Sequence, residues 1–187
     1  MPIVSTAKMN ANQFLVIGED PPGVRLELVD GEVAVSPRPS LDHSFTLLAL
    51  SQLLKNHVDA SGSGQLFTDV DTVLGNFDVR CPDLLFIEKR RLKLLKKRAV
   101  EVPPDLCVEI LSPGSVQIDR EDKFTQYAAA GVPAYWILDP VQHTFEAYTL
   151  KRGKYCIAAQ GRKSDRVTAP PFDDLELSLA HLWRPTK

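Results

Sequence analysis

Two carboxylates stand at positions where the sequence is otherwise apolar. Glu109 lies within residues 106–111, a nearly continuous apolar run that predicts a buried central strand. A carboxylate inside such a strand is costly unless another group pairs with it, so Glu109 is either a structural ion pair or a functional group. Asp83 directly precedes the apolar run 84–87, which puts its carboxylate at the entrance of a second strand. Alone, Asp83 would be interpreted as a turn or cap residue.

A third carboxylate, a lysine and a tyrosine follow at helical spacing. Asp119, Lys123 and Tyr127 are four residues apart, which places them on one face of the helix predicted after the Glu109 strand. Taken alone, this pattern fits an exposed salt bridge as well as it fits a site. Together with Asp83 and Glu109 it predicts that two carboxylates hold a hard divalent cation such as Mg²⁺. The lysine would then orient a water molecule or stabilise charge on a phosphate.

The elements that must position these side chains alternate between strands and helices. Helical patterns cover residues 9–18, 40–60, with Ser40 as the cap, and 118–130, and a short helix is expected near 175–183. Residues 24–29 and 32–36 alternate around Asp30-Gly31, which predicts a β-hairpin. Further strands are predicted at 65–70, 71–74, 83–88, 106–111 and 134–138, and an edge hairpin at 144–150 and 155–159.

Length and composition are those of one soluble globular domain. The chain has 187 residues, 44% of them hydrophobic, which suffices for a core in a single domain over residues 1–187. The three cysteines have no zinc-site spacing and are expected to be reduced thiols. Because no signal pattern or membrane-length apolar run is present, we expect a cytoplasmic protein with no membrane contact.

One segment of the chain is strongly basic, although the formal net charge is only -2. Seven of the ten residues from 89 to 98 are basic: Lys89, Arg90, Arg91, Lys93, Lys96, Lys97 and Arg98. Nucleic-acid binding depends on such local clusters rather than on net charge, so these residues are candidates for contacts with phosphates. The segment joins the Asp83 strand to the Glu109 strand and is therefore expected to leave and re-enter beside the site. A solvated loop is the alternative.

Four blocks of sequence, taken in order, resemble the signature of a known family. They are Pro82-Asp83, residues 104–113, Asp119 with Lys123 and Tyr127, and residues 131–140; the likeness extends upstream to residues 27–32 and His43. These blocks are similar to the Uma-two family of endonucleases in the PD-(D/E)XK, restriction-endonuclease-like superfamily. The resemblance implies an α/β fold with a central mixed β-sheet flanked by helices, with additional β-hairpins.

The resemblance also implies roles for individual residues. Asp83 and Glu109 would be metal ligands, with the main-chain carbonyl of Ile110 as a further oxygen. Glu27 and His43 would be auxiliary residues, as would Asp119 and Tyr127. The superfamily pattern has a lysine two residues after the second acid, whereas this chain has Leu111 there. Lys123 on the next helix could return an ammonium group to the same space, as a migrated lysine.

The function implied is that of a metal-dependent endonuclease that hydrolyses phosphodiester bonds, with DNA as the expected substrate; the sequence does not distinguish DNA from RNA. Its cofactor would be Mg²⁺, with Mn²⁺ as the alternative. A homodimer is expected because a duplex has two strands and each chain has one site, with the edge hairpin at 144–159 as a candidate contact. Two alternatives stay open. One is a nucleic-acid-binding or regulatory protein on the same fold with weak or lost catalysis, which the missing lysine at Leu111 favours. The other is an interaction scaffold that binds no metal.

Overall fold

The computed structural model describes residues 8–18, 20–22, 24–36 and 39–185, which form three α-helices and twelve β-strands. The helices are α1 (Ala11–Leu15), α2 (Leu41–Ser61) and α3 (Lys123–Ala130). The strands are β1 (Arg25–Val29), β2 (Glu32–Ser36), β3 (Gly64–Phe67), β4 (Thr72–Gly75), β5 (Asp78–Arg80), β6 (Leu84–Glu88), β7 (Leu106–Ile110), β8 (Ala134–Asp139), β9 (Thr144–Lys151), β10 (Lys154–Arg162), β11 (Arg166–Ala169) and β12 (Phe172–Ser178). Short 3₁₀ turns cover Lys89–Leu94 and Leu179–His181.

A six-stranded mixed sheet contains β7, which carries Glu109, and its neighbour β6, which Asp83 precedes. Its strand order is β10-β9-β8-β7-β6-β3, and only the β7–β8 pair is parallel among its described strands. A parallel pair requires a crossover, which here passes through the π-helical turn Ile118–Asp122 and then α3. This mixed sheet with helices and additional hairpins confirms the fold class expected from the sequence.

The two faces of β7 contact different helices. Side chains alternate along a strand, so Val108 packs with Leu54 of α2, whereas Cys107 and Leu111 pack with Tyr127 of α3. Glu109 shares the α3 face with Cys107 and Leu111. The crossover helix therefore covers the one carboxylate in the middle of the sheet.

A second sheet, in the order β2-β1-β5-β4, contains the predicted hairpin. Asp30 and Gly31 have φ values of 50° and 80°, as a two-residue hairpin turn requires, which confirms this prediction. Leu28 of β1 packs with Val79 and with Phe14 of α1. The alternate residues of β1 consequently face away from this small core, toward the six-stranded sheet.

The helix predicted from Ser40 is confirmed, since the Ser40 hydroxyl accepts a hydrogen bond from the His43 amide at 3.2 Å and Gly62 ends the helix. The short helix expected near 175–183 is wrong. That segment is β12 followed by a 3₁₀ turn, because Leu175, Leu177 and Leu179 alternate with polar residues at a strand period and β12 pairs with β11. Among the described residues, no helix combines the length and the apolar character needed to cross a membrane.

Gly64 is a position at which even one methyl group should destabilise the fold. A Cβ at Gly64 would lie 2.6 Å from a ring carbon of Phe86 and closer still to the Ile87 carbonyl oxygen, both on β6. Gly64→Ala should lower the free energy of unfolding by about 1–3 kcal/mol, measured by urea denaturation. Gly75→Ala is the control, because the nearest atom to its Cβ lies 3.8 Å away. Equal destabilisation by the two substitutions would contradict the predicted clash.

Candidate active site

Asp83 is held in place by the strand that carries Glu109. It immediately precedes β6, where Leu84 pairs with Val108, so Asp83 stands beside the end of β7. Its Oδ2 atom accepts a hydrogen bond from the Ile110 amide at 2.8 Å and lies 3.0 Å from His43 Nε2. Burial raises the pKa of Asp83, but the contacts with His43, Lys123 and Ile110 outweigh burial and lower it, so the carboxylate is ionised. Its Oδ1 atom has one long contact, 3.3 Å, with the guanidinium of Arg25.

Glu109 is held from the α3 side by an ammonium and a phenol. Lys123 Nζ lies 2.8 Å from Glu109 Oε2 and 3.0 Å from Asp119 Oδ1. Tyr127 donates its hydroxyl hydrogen to Glu109 Oε1 at 2.6 Å. The side chains of Lys123 and Glu109 are only 8% and 2% exposed. The three residues spaced four apart thus share the face that meets Glu109, as their spacing predicts.

The carboxylates and the lysine change one another's protonation. Burial raises the pKa of Glu109 to about 8; Lys123 opposes this rise, and Asp119 and Asp83 add to it. Burial lowers the pKa of Lys123, but Glu109, Glu27 and Asp119 together raise it above its usual value. The ammonium therefore stays charged. Glu109 has two acidic neighbours, Asp119 and Asp83, which Lys123 alone does not neutralise.

Glu27 brings the second sheet into the same cluster. Its Oε2 atom accepts a hydrogen bond from Arg80 at 2.9 Å, and its Oε1 atom accepts one from the Cys81 amide at 2.9 Å. Lys123 Nζ lies 3.9 Å from Glu27 Oε1. Burial raises the pKa of Glu27, but Lys123 and Arg80 outweigh it, so the pKa is lowered. The structure thus places Glu27 on the inward side of β1.

One cavity of about 400 Å³ brings the sequence-predicted residues together. The predicted residues that line it are Glu27, His43, Asp83, Glu109, Ile110, Asp119 and Lys123. Tyr127 lies behind Glu109. Arg25 and Arg80 also line the cavity, and the sequence analysis missed both. Arg25 could have been found, because it is two residues before Glu27 in a strand and therefore on the same face.

The basic segment 89–98 lies elsewhere, which corrects the expectation that it leaves and re-enters beside the site. Asp83 precedes β6 and Glu109 is near the end of β7; because these strands are antiparallel, the segment joins their opposite ends. Between Asp83 and the segment lie the five residues of β6, so the segment begins six positions on, roughly 20 Å from Asp83 at about 3.3 Å per residue. Three of its basic side chains form ion pairs there: Arg90 with Glu88, Arg91 with Asp105, and Lys96 with Glu101.

The donor set of the cavity suits a cation that keeps part of its water shell. Within residues 8–18, 20–22, 24–36 and 39–185, no three His, Cys, Asp or Glu side chains are grouped as a metal cage. Asp83 and Glu109 supply two carboxylates, and Ile110 is beside them on the cavity wall. Mg²⁺ is commonly bound by one or two carboxylates together with water and substrate phosphates. The surplus of carboxylate charge around Glu109 also fits a cation.

The mixed sheet brings Asp83, which precedes β6, and Glu109 of the adjacent strand β7 to one cavity with Lys123 of the crossover helix, in the restriction-endonuclease-like fold class expected from the sequence. The Uma2 family model, described as "Putative restriction endonuclease", matches residues 11–180. The chain therefore belongs to the Uma2 family, which confirms the resemblance seen in its sequence. Among curated proteins, none matches the chain.

The solved structures that match this one include the following two. The first is the crystal structure of "a putative nuclease belonging to DUF820" from Anabaena variabilis ATCC 29413, at 20% identity and a TM-score of 0.79. The match covers 94% of this chain and 97% of that one, which shows a common fold. The second is the type IIG restriction endonuclease BpuSI, at 17% identity and a TM-score of 0.40, covering 67% of this chain and 14% of that one.

Glu109→Gln should flatten the dependence of folding stability on pH. The folded pKa of Glu109, about 8, lies above its usual value of 4.5. Its contribution to stability is therefore fully present below pH 4.5 and is lost as the pH rises through 8, because the unfolded chain ionises first. In urea denaturation with EDTA, the free energy of unfolding of the parent should fall relative to the variant across this interval. Glu32→Gln, at an exposed position, should keep the parent profile; parallel curves for Glu109→Gln would contradict the raised pKa.

Proposed function

We propose that this protein is a metal-dependent endonuclease that hydrolyses phosphodiester bonds in DNA. The observation that carries the proposal is the contact of Lys123 Nζ with Glu109 at 2.8 Å, in a cavity that Asp83 also lines. Two carboxylates can hold a divalent cation and a lysine beside them can stabilise charge on a phosphate, which together support metal-assisted phosphodiester hydrolysis. Membership of the Uma2 family supports nuclease activity in general.

The proposed metal ligands are Asp83 and Glu109, with the main-chain carbonyl of Ile110 as a third oxygen. Mg²⁺ is the proposed cofactor and Mn²⁺ the alternative, since both take oxygen ligands. The bound ion would supply Lewis-acid charge beside a substrate phosphate. His43 and the Ile110 amide hold Asp83 Oδ2, Tyr127 holds Glu109 Oε1, and the Lys123 ammonium contacts Glu109 Oε2. His43 and Tyr127 would thus be positioning residues, because they fix the orientation of the carboxylates.

Lys123 is proposed to act in place of the lysine that the superfamily has at the position of Leu111. The Leu111 side chain is buried and packs with Tyr127 and Tyr135 beneath α3. An ammonium would be desolvated in that apolar cluster, whereas Lys123 approaches Glu109 from α3 with carboxylates around it. Its fixed positive charge would stabilise the negative charge that develops on the phosphate in the transition state.

DNA, a homodimer and a cytoplasmic location complete the proposal. The basic residues of segment 89–98 would contact the DNA backbone at a distance from the cleaved bond, since the segment starts at the far end of β6.

β10 is an outer strand of the six-stranded sheet, and Ile157 on it is 54% exposed. An outer strand with an exposed apolar side chain is a suitable contact between two copies of the chain.

Lys123→Met should lower the rate of DNA cleavage in Mg²⁺ on the order of 10²-fold or more, because it removes transition-state charge stabilisation. Metal affinity, measured by calorimetric titration of Mn²⁺, should not fall below that of the parent, because Lys123 is not a ligand and its removal takes a positive charge away from Glu109. Asp83→Asn should instead weaken the affinity for the metal. The matched control is Lys55→Met, since Lys55 forms an ion pair with Asp59 at the same four-residue spacing but is 59% exposed. Equal cleavage rates for Lys123→Met and the parent would contradict the proposed role of Lys123, and no cleavage by the parent would favour a nucleic-acid-binding protein with weak or lost catalysis.

The proposed dimer gives a separate prediction. Light scattering at micromolar concentration should yield about twice the chain mass of 20.8 kDa. Ile157→Glu should shift the mass toward the monomer, because it places a charge in the proposed contact. Val141→Glu is the control, as Val141 is 62% exposed but lies outside β10. A monomer mass for the parent, with and without DNA, would contradict the dimer.

A further inference from the structure

Arg25 occupies the oxygen of Asp83 that no other described side chain contacts. Its Nη1 atom lies 3.3 Å from Asp83 Oδ1 and 3.4 Å from the Cys81 carbonyl oxygen, both near the limit for a hydrogen bond. Its Nη2 atom lies 2.6 Å from Asp69 Oδ1. The guanidinium is therefore held firmly at Asp69 and only weakly at Asp83.

Arg25 also differs in exposure from the other cations of the cavity. Three lysine and arginine side chains line the cavity within the described residues, and Lys123 and Arg80 are 8% and 2% exposed. Arg25 is 27% exposed, and its partner Asp69 is 67% exposed. Solvent, and hence a ligand entering the cavity, reaches Arg25 more readily than either of the other two.

We infer that Arg25 binds a phosphate of the substrate and, in the free protein, occupies Asp83 until a divalent cation replaces it. This inference rests on the proposed function. A cation on Asp83 would repel the guanidinium across a short distance and take over the neutralisation of the carboxylate. Arg25 would then lose its weak contact with Asp83 and keep its contact with Asp69.

The chemistry of the guanidinium favours a phosphate as its new partner. Arginine presents five N–H donors in a planar fork that matches two phosphate oxygens, and two of its nitrogens already point in different directions here. The released Nη1 atom remains on the wall of the cavity that Asp83 and Glu109 also line. Arg25 is thereby a substrate-binding residue whose availability depends on the metal.

The test compares the full-length parent with Arg25→Gln and Arg25→Lys, using Ca²⁺ as an oxygen-binding probe of the metal site. Calorimetry measures Ca²⁺ affinity without DNA, and fluorescence anisotropy measures the affinity for a labelled DNA duplex in Ca²⁺ and in EDTA. Arg25→Gln should bind Ca²⁺ at least as tightly as the parent, because the competing guanidinium is gone. In Ca²⁺ it should bind DNA roughly tenfold or more weakly, with a salt dependence smaller by about 0.9. In EDTA the loss should be smaller, and Arg25→Lys should recover part of the affinity.

Arg166→Gln is the matched control, because Arg166 pairs with Glu176 at 2.6 Å on β11 and β12, outside the cavity. It should bind Ca²⁺ and DNA as the parent does. An equal loss of DNA affinity for Arg25→Gln in Ca²⁺ and in EDTA would mean that Arg25 binds DNA whether or not the metal is present, and no loss at all would make Arg25 a structural ion pair. Either result would overturn the inference. A parent that binds neither Ca²⁺ nor DNA would overturn the proposed function together with it. A parent that binds both, matched by Arg25→Gln, would overturn the inference alone.

Discussion

The buried ammonium of Lys123 is the group around which the cavity is built. It lies within 4 Å of carboxylates from three separate elements, Glu109 of β7, Asp119 of the turn before α3 and Glu27 of β1. A charge with so little exposure is tolerated only while these partners stay in place. The position of α3 over β7, and of β1 against the six-stranded sheet, is therefore coupled to one set of ion pairs.

The same cluster explains why two sheets meet at the cavity. Glu27 receives hydrogen bonds from Arg80 and the Cys81 amide in its own sheet and approaches Lys123 on the crossover helix of the other. Asp83 follows Cys81 by two residues and turns into β6, so the chain passes from the second sheet into the first directly at the site. The residues that join the two sheets thus also line the candidate active site, which is common where polar groups are buried for function.

The charge balance of the cavity leaves a place for added positive charge. Five carboxyl groups line it against three lysine and arginine side chains, and burial raises the pKa of Glu109 to about 8; the carboxyl groups are those of Glu27, Asp69, Asp83, Glu109 and Asp119. Such a cluster is less stable without a counter-ion than an apolar core of the same size would be. The proposed nuclease chemistry, in which a divalent cation binds these carboxylates, gives a physical reason for the presence of the cluster despite its cost in stability.

The sequence by itself determined most of the elements and the main candidates for the site. Glu109 stood out because an apolar strand does not otherwise contain a carboxylate, and the four-residue spacing of Asp119, Lys123 and Tyr127 defined one helix face. Both signals are local, as is the hairpin at Asp30 and Gly31, so no tertiary information was needed to detect them. The blocks that resemble the Uma-two family extended the prediction from single elements and residues to the whole fold.

Other features depend on contacts between elements that are distant in sequence, and only the tertiary structure decided these. The basic segment 89–98 is adjacent in sequence to β6, but the antiparallel pairing of β6 and β7 places it at the end away from Asp83. The residues near 175–183 form mainly a strand because β11 supplies a pairing partner, which periodicity in a short segment does not reveal. Arg25 reaches Asp83 across 58 positions of sequence. Strand pairing, register and burial are properties of the packed chain, and short-range sequence patterns do not specify them.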